Sequence, residues 1–179
     1  MKSRIIGIGQ TGSSFFYNTR LESITADCLL LSTEAKHLTQ CWCKSYLIKG
    51  NDESSQNNCS VLKYADKSAK YIEKLPPVEQ LIIVSGMVGS NISLIPELVK
   101  QARKKNTKII LLLVELWRES KADREEYYST LFSYLKNYCN EIYCNEMKVF
   151  YYDKGDDDMI KTVNKVQTEL KNEVLELLN

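Results

Sequence analysis

Short, almost wholly apolar runs alternate along this chain with longer stretches in which apolar residues recur every three or four positions. Continuous apolar runs are typical of parallel strands that helices cover on both faces, and the wider spacing is typical of amphipathic helices. The runs predict strands over residues 4–9, 28–32, 45–49, 79–85, 108–114, 141–144 and 148–152. Helices are predicted over 12–21, 61–75, 121–139 and 156–178, and a polar loop over 50–60. We therefore expect an α/β fold, a three-layer Rossmann-like domain with a mostly parallel sheet.

The last predicted helix, 156–178, carries a single apolar stripe. Its members follow one another at spacings of three and four: Met159, Val163, Val166, Leu170, Val174 and Leu177. Such a stripe must be covered, and we predict that it packs against the domain's own sheet; a heptad-like seam between two chains is the alternative. The three aspartates at 156–158 suit a helix N-terminus, an interpretation that needs fewer assumptions than a magnesium site.

The length of the chain favours a single domain, and its net charge argues against a nucleic-acid-binding or membrane-surface protein. The 179 residues suit a single domain spanning 1–179, and a net charge of +1 with interspersed signs lacks the basic footprint of a nucleic-acid-binding or membrane-surface protein. The first strand starts almost at the N-terminus, and no apolar run approaches the roughly 20 residues of a membrane span. We therefore expect a cytoplasmic protein without nucleic-acid or membrane partners.

The cysteines and the single histidine give no catalytic or metal site. The six cysteines show no Cys-x-x-Cys spacing and are expected to be thiols. His37 with Cys41 and Cys43 lacks a convincing fourth ligand, so no metal is predicted. Nothing in the sequence places a nucleophile beside His37, so no catalytic residue is predicted. The tyrosines of 121–139 have helical spacing and no basic neighbours, which favours packing over a base-stacking platform.

The most specific local pattern lies where the first strand turns into the first helix. Glycines occupy positions 7, 9 and 12, around Gln10 and Thr11. Glycines at such a turn let the backbone approach a phosphate closely, and the N–H groups that open the helix favour an anion. We therefore predict a phosphate-binding loop at Gly7, Gly9, Gln10, Thr11 and Gly12, although a tight turn alone would also need glycine. Gly12→Val is expected to abolish nucleotide binding and to leave the domain folded.

Residues 4–150 resemble the N-terminal nucleotide-binding domain of the tubulin/FtsZ superfamily, in the same order and at nearly the same spacings. The tetrapeptide Gly9-Gln10-Thr11-Gly12 is similar to the Gly-Gln-Cys-Gly of tubulins. Residues 27–38, DCLLLSTEAKHL, are similar to the second strand of FtsZ and its Asn-Thr-Asp-Ala-x-x-Leu ending. Residues 81–89, LIIVSGMVG, resemble the fourth strand and the start of the glycine-rich signature loop, and 95–106 and 108–114 resemble the helix and strand that follow.

The resemblance implies an FtsZ/tubulin GTPase-domain-like fold with a guanine-nucleotide site. Besides the first loop, it implicates residues that follow the second and fourth strands: Thr33, Glu34, Gly86, Met87, Gly89, Ser90 and Asn91. The family signature Gly-Gly-Gly-Thr-Gly-Ser/Thr-Gly falls on residues 88–94, VGSNISL, where only Gly89 is glycine. The glycines of this signature allow backbone conformations that are costly for β-branched residues, so the signature loop of this chain is degenerate. Ser90 and Asn91 are interpreted first as helix N-caps.

The resemblance also implies what the chain does. In the family, a long central helix leads to a loop whose acids act on the neighbouring subunit's nucleotide, and then to a second domain. Because the sequence ends at Asn179, we expect a single domain without that loop and without efficient GTP hydrolysis. The expected function is a tubulin/FtsZ-like protein with GTP or GDP in a degenerate site, which associates with itself or with another protein. One alternative is a pseudo-GTPase interaction module without nucleotide; a less favoured one is a Rossmann-type dinucleotide-dependent enzyme with Glu34 on the ribose.

Overall fold

The computed structural model describes residues 2–19, 26–39, 41–48, 73–87, 94–105, 107–114, 146–150 and 159–179. Several predicted elements lie outside these residues: the loop 50–60, the helix 121–139 and the strand 141–144. The predicted helix 61–75 is described only at its last three residues.

The described strands form one six-stranded, all-parallel sheet in the order β3-β2-β1-β4-β5-β6. They are β1 (Ser3–Ile8), β2 (Asp27–Ser32), β3 (Lys44–Leu47), β4 (Gln80–Gly86), β5 (Lys108–Val114) and β6 (Glu146–Phe150). The six predicted strands that fall on these residues are confirmed to within two positions at either end. The central strands β1, β4 and β5 bury nearly every side chain, which is why their sequences are apolar without alternation.

The described helices are α1 (Gly9–Asn18), α2 (Ile95–Lys104) and α3 (Met159–Leu178), and a short 3-10 turn covers Ala35–Leu38. The first helix begins three residues before its predicted start. Gly9 takes a φ of 61°, a left-handed conformation that turns the chain from β1 directly into the helix. Hydrophobic periodicity carries no information about that single backbone angle.

Helices cover both faces of the sheet, which confirms the expected three layers. One buried cluster joins α2 to side chains such as Ile6 and Ile83. The other joins α1 and α3 to the side chains that alternate with these, such as Ile5 and Ile82. Because neighbouring residues of a strand point to opposite faces, a sheet covered on both needs apolar side chains at every position.

The apolar stripe of α3 lies against the sheet of its own chain. Val166, Leu170 and Val174 are buried in the cluster that α3 shares with α1. Near the end of the helix, the Gln80 side-chain amide donates to the backbone carbonyl of Leu177 (Nε2–O 2.7 Å). Since Gln80 opens β4, the C-terminal end of α3 lies at the amino edge of the sheet.

Candidate functional site

Hydrogen bonds within the chain occupy polar groups at the amino edge of the sheet. The Arg4 guanidinium donates to the Asp27 carboxylate (Nε–Oδ2 2.8 Å) and to the carbonyl of Pro76 (Nη1–O 3.0 Å). The Thr107 hydroxyl donates to the carbonyl of Val78 (Oγ1–O 2.9 Å). The polar side chains that line the small cavity at this edge are Arg4, Thr107 and Lys105, whose ammonium donates to the carbonyl of Leu75 (Nζ–O 3.0 Å), so all three already have protein partners. The amino edge is therefore not the candidate ligand site.

The carboxyl edge of β1 and β4 is where the strand order changes direction, and open α/β sheets of this order bind ligands in the crevice at that point. The predicted site residues that the structure describes all lie at this edge, close to or directly after the ends of β1, β2 and β4: Gly7, Gly9, Gln10, Thr11, Gly12, Thr33, Glu34, Gly86 and Met87. Gly89, Ser90 and Asn91 lie outside the described residues. The fold thus gathers loops that are far apart in the sequence.

The start of α1 presents backbone N–H groups and no negative charge. Gly9 is left-handed, and Ile8, at the N-cap position, makes no side-chain capping hydrogen bond. Within this described segment the first turn holds no acidic residue, the Gln10 side chain is exposed and Thr11 is half-buried. The first N–H groups of a helix have no partner inside the helix, and the helix dipole adds positive potential there. This geometry suits the predicted phosphate-binding loop.

Gly7 and Gly12 serve the packing of α1 on β1. A Cβ atom placed on Gly12 would lie 2.4 Å from the carbonyl carbon and 2.5 Å from the Cα of Gly7. A Cβ on Gly7 would in turn lie 2.6 Å from Cε2 of Phe16. Gly12→Val should therefore also destabilise the domain, a cost that the sequence-based expectation did not include, because its side chain would overlap backbone atoms that cannot rotate away. Gly12 lets helix and strand approach closely, which is one known role of the third glycine in such loops.

The end of β4 packs directly under the first turn of α1. A Cβ on Gly86 would lie 2.7 Å from Oγ1 of Thr11, so these two predicted site residues are neighbours. Met87 has a different environment. Its side chain is buried in the core, and its N–H donates to the carbonyl of Val114 (2.9 Å). The sheet therefore already uses the amide that a phosphate would need at Met87.

A small polar network follows β2. The Ser32 hydroxyl accepts the N–H of Glu34 (3.0 Å) and lies 3.0 Å from Nδ1 of His37. The Lys36 ammonium lies 2.6 Å from Oε2 of Glu34, and its hydrogen bond holds the pKa of the Glu34 carboxyl below its usual range. Glu34 is thus ionised and can accept hydrogen bonds. The sequence interpretation missed Ser32 and grouped His37 with the cysteines; the serine directly before Thr33 was the available signal for a local side-chain turn.

No group of three His, Cys, Asp or Glu side chains in the described ranges is arranged to hold a metal ion. The described helices also include none that is long and apolar enough to cross a membrane.

Solved structures of tubulin-like proteins share this fold. The chain is similar to a variant of FtsZ from M. jannaschii, with a TM-score of 0.80 and 17% identity over 99% of this chain and 56% of that one. It is similar to CetZ2 from Haloferax volcanii, solved as a GTPγS-bound protofilament, with a TM-score of 0.75 and 15% identity over 99% and 58%. The phage tubulin PhuZ, solved with GDP, gives 0.76 and 14% over 99% and 55%.

These comparisons establish the fold of the nucleotide-binding domain of FtsZ and tubulin, as the sequence predicted. The chain spans 55–58% of the length of CetZ2 and PhuZ and 56% of the FtsZ chain. Neither a protein-family model nor a curated protein sequence matches it.

Proposed function

We propose that this chain, which has the fold of the FtsZ/tubulin nucleotide-binding domain, binds a guanine nucleotide at the carboxyl edge of β1, β2 and β4. We further propose that it acts by associating with a second copy of itself or with another protein, rather than by efficient GTP hydrolysis. The observation that carries the nucleotide proposal is the start of α1, uncapped by any side chain and free of acidic residues in its first turn, at the point where the strand order reverses.

The described residues fit a phosphate group at the first loop. The N–H groups of Gly9, Gln10 and Thr11 open the helix, and a phosphate there would meet the positive end of α1. Thr33 and Glu34, after β2, lie at the same edge and offer acceptors for sugar hydroxyls. CetZ2 and PhuZ, which share the fold, were solved with GTPγS and GDP respectively.

Two considerations support association over hydrolysis. CetZ2 was solved as a protofilament, which is a self-associated form. Glu34 is the one carboxylate among the predicted site residues, and its ion pair with Lys36 lowers its pKa, which makes it a weak base for activating water.

A charge placed on Gln10 tests the nucleotide proposal. Gln10→Glu puts a carboxylate where the phosphate would lie, and by itself it stabilises α1 by about 0.3–1 kcal/mol through the helix dipole. Asn172→Glu adds the same charge at an exposed position of α3, near the opposite edge of the sheet, and is the matched control. Thermal unfolding is measured for the three proteins with and without excess GTP, GDP or NAD.

Gln10→Glu is expected to raise the stability of the free protein and to reduce its stabilisation by nucleotide, so the two measurements should change in opposite directions. The unmutated chain and Asn172→Glu should gain about 2.7 kcal/mol at 100 times Kd of GTP or GDP, whereas Gln10→Glu should be more stable without ligand and gain little with it. Stabilisation by NAD alone would favour the dinucleotide-enzyme alternative. Equal stability of the unmutated chain with and without every nucleotide would overturn the proposal.

That last result would favour a pseudo-GTPase module without nucleotide. One observation already speaks for this second candidate: the Met87 amide, which follows β4, is hydrogen-bonded to Val114 and not open to the crevice.

A further inference from the structure

Three cysteines meet beside the edge strand β3, away from the carboxyl-edge site. Cys41 and Cys43 precede β3, and Cys28 lies in β2. Leu29 pairs with Lys44 in the parallel register of β2 and β3, so the preceding residues, Cys28 and Cys43, are neighbours on the face that α1 covers. The strand register therefore places Cys28 beside Cys43.

Cys41 and Cys43 form a close thiol pair. Their Sγ atoms are 2.9 Å apart, and both side chains are half-buried, so a small reagent can reach them. Cys28 differs from both. It is buried, its thiol points to the carbonyl of Ala26 (Sγ–O 3.7 Å), and burial raises its pKa to about 12. Cys28 is therefore a packing residue, and the reactive pair is Cys41 with Cys43.

The two thiols of the pair are chemically unequal. A hydrogen bond from the Cys43 thiol lowers the pKa of Cys41 to about 7, and the same hydrogen bond raises the pKa of Cys43 above its usual range. Near pH 7 about half of the Cys41 thiol is therefore ionised, while Cys43 keeps its proton. A thiolate beside a protonated thiol is the arrangement of an attacking and a resolving cysteine.

Trp42 holds the segment between the two cysteines in place. Its indole Nε1–H donates to the carbonyl of Phe16 in α1 (2.6 Å), and its ring meets the Phe16 ring edge-to-face at 5.7 Å between centroids. Half of Trp42 remains exposed. These two contacts with Phe16 hold the backbone between Cys41 and Cys43 in place. Because Trp42 lies between the two cysteines, its fluorescence reports on changes at the thiol pair.

We propose that Cys41 and Cys43 form a redox-active dithiol that reduces low-molecular-weight disulfides. The Cys41 thiolate attacks one sulfur of the disulfide, forms a mixed disulfide and releases the first thiolate, which takes a proton from water. Cys43 then loses its proton to solvent and attacks the Cys41 sulfur, which closes the Cys41–Cys43 disulfide and releases the second thiolate, which also takes a proton from water. The protein dithiol loses two electrons, and the small disulfide gains them as two thiols.

The rate advantage follows from the thiolate fraction. At pH 7 a thiol with a pKa near 7 is about half ionised, against about 3% for one at 8.5, a ratio of about 16. Nucleophilicity falls about fivefold over that difference in pKa, since the Brønsted coefficient is about 0.45. Cys41 should therefore react about threefold faster than a thiol of the unfolded chain.

Oxidised glutathione and peptide mapping by mass spectrometry test the proposal on the full chain. In the native protein a Cys41–Cys43 link should form first and Cys28 should stay reduced, with a concurrent change in tryptophan fluorescence that Trp42→Phe removes. Cys43→Ser should instead accumulate one glutathione adduct on Cys41. Cys28→Ser is the matched control and should still form the link.

Three results would overturn the assignment. The first is a link from Cys41 to Cys28 or to a second chain. The second is a native Cys41 that reacts no faster than the same residue in urea, which needs no variant and so does not depend on any variant folding. The third is glutathione accumulating on Cys43 in Cys41→Ser as fast as it does on Cys41 in Cys43→Ser. None of these results depends on nucleotide binding, so the dithiol proposal is tested independently of the nucleotide proposal.

Discussion

Gly12→Ala should destabilise the fold, although alanine is the better helix former. The added Cβ would lie 2.4 Å from a backbone carbon of Gly7, whereas ordinary contact begins at 3.4 Å, so α1 must move about 1 Å away from β1. Overpacking of this kind costs about 1–3 kcal/mol, and an obstacle made of backbone places the cost at the upper end. The gain in helix propensity offsets about 1 kcal/mol. The expected net loss is therefore about 2 kcal/mol.

Urea unfolding followed by circular dichroism measures this loss, and Gly86→Ala is its matched control. The Cβ on Gly86 would meet Oγ1 of Thr11, a side-chain atom that can rotate, so its cost should be smaller and should shrink further in a Thr11→Ala background. The test is whether Gly12→Ala lowers or raises the free energy of unfolding. A variant that is more stable than the unmutated chain would mean that propensity alone acts and that the close approach of α1 to β1 is not real.

The remaining predictions concern the terminal helix, the Arg4–Asp27 ion pair and GTP turnover. Leu170→Asp should unfold or aggregate the chain while Asn172→Asp is tolerated, as solubility and sedimentation will report; a dimer that Leu170→Asp turns into a folded monomer would contradict packing on the chain's own sheet. Asp27→Ala should cost more free energy of unfolding in urea than Arg4→Met, because the Arg4 side chain is 6% exposed and would be left as a buried unpaired charge, whereas Asp27 is 44% exposed. Phosphate release from GTP should be slow at all protein concentrations, given the lowered pKa of Glu34; a steep rise with concentration would refute this.

The parts of the fold that sequence could predict are those set by burial. The strand over 108–114 was predicted at both ends because β5 is buried on both faces and so has to be apolar throughout. The start of α1 was missed by three residues, since it depends on the backbone angle of Gly9 and not on any periodic pattern.

Some features of the candidate site and of the cysteine group could not be predicted because they depend on contacts between elements that are distant in the sequence or packed on one another. The engagement of the Met87 amide by Val114 requires the pairing of β4 with β5, and the meeting of Cys28 with Cys43 requires the register of β2 with β3. The role of Gly12 was misjudged for the same reason: a glycine pattern does not reveal whether the space beside it belongs to a ligand or to Gly7.

The central claim is that the first turn of α1 holds nucleotide phosphates, and amide resonances of the ¹⁵N-labelled chain test it most directly. Saturating GDP should shift the amides of Gly9, Gln10 and Thr11 and leave those at the amino edge, such as Thr107 and Leu177, in place. Shifts confined to other residues, or no shifts at GDP concentrations that saturate tubulin-like proteins, would contradict the account.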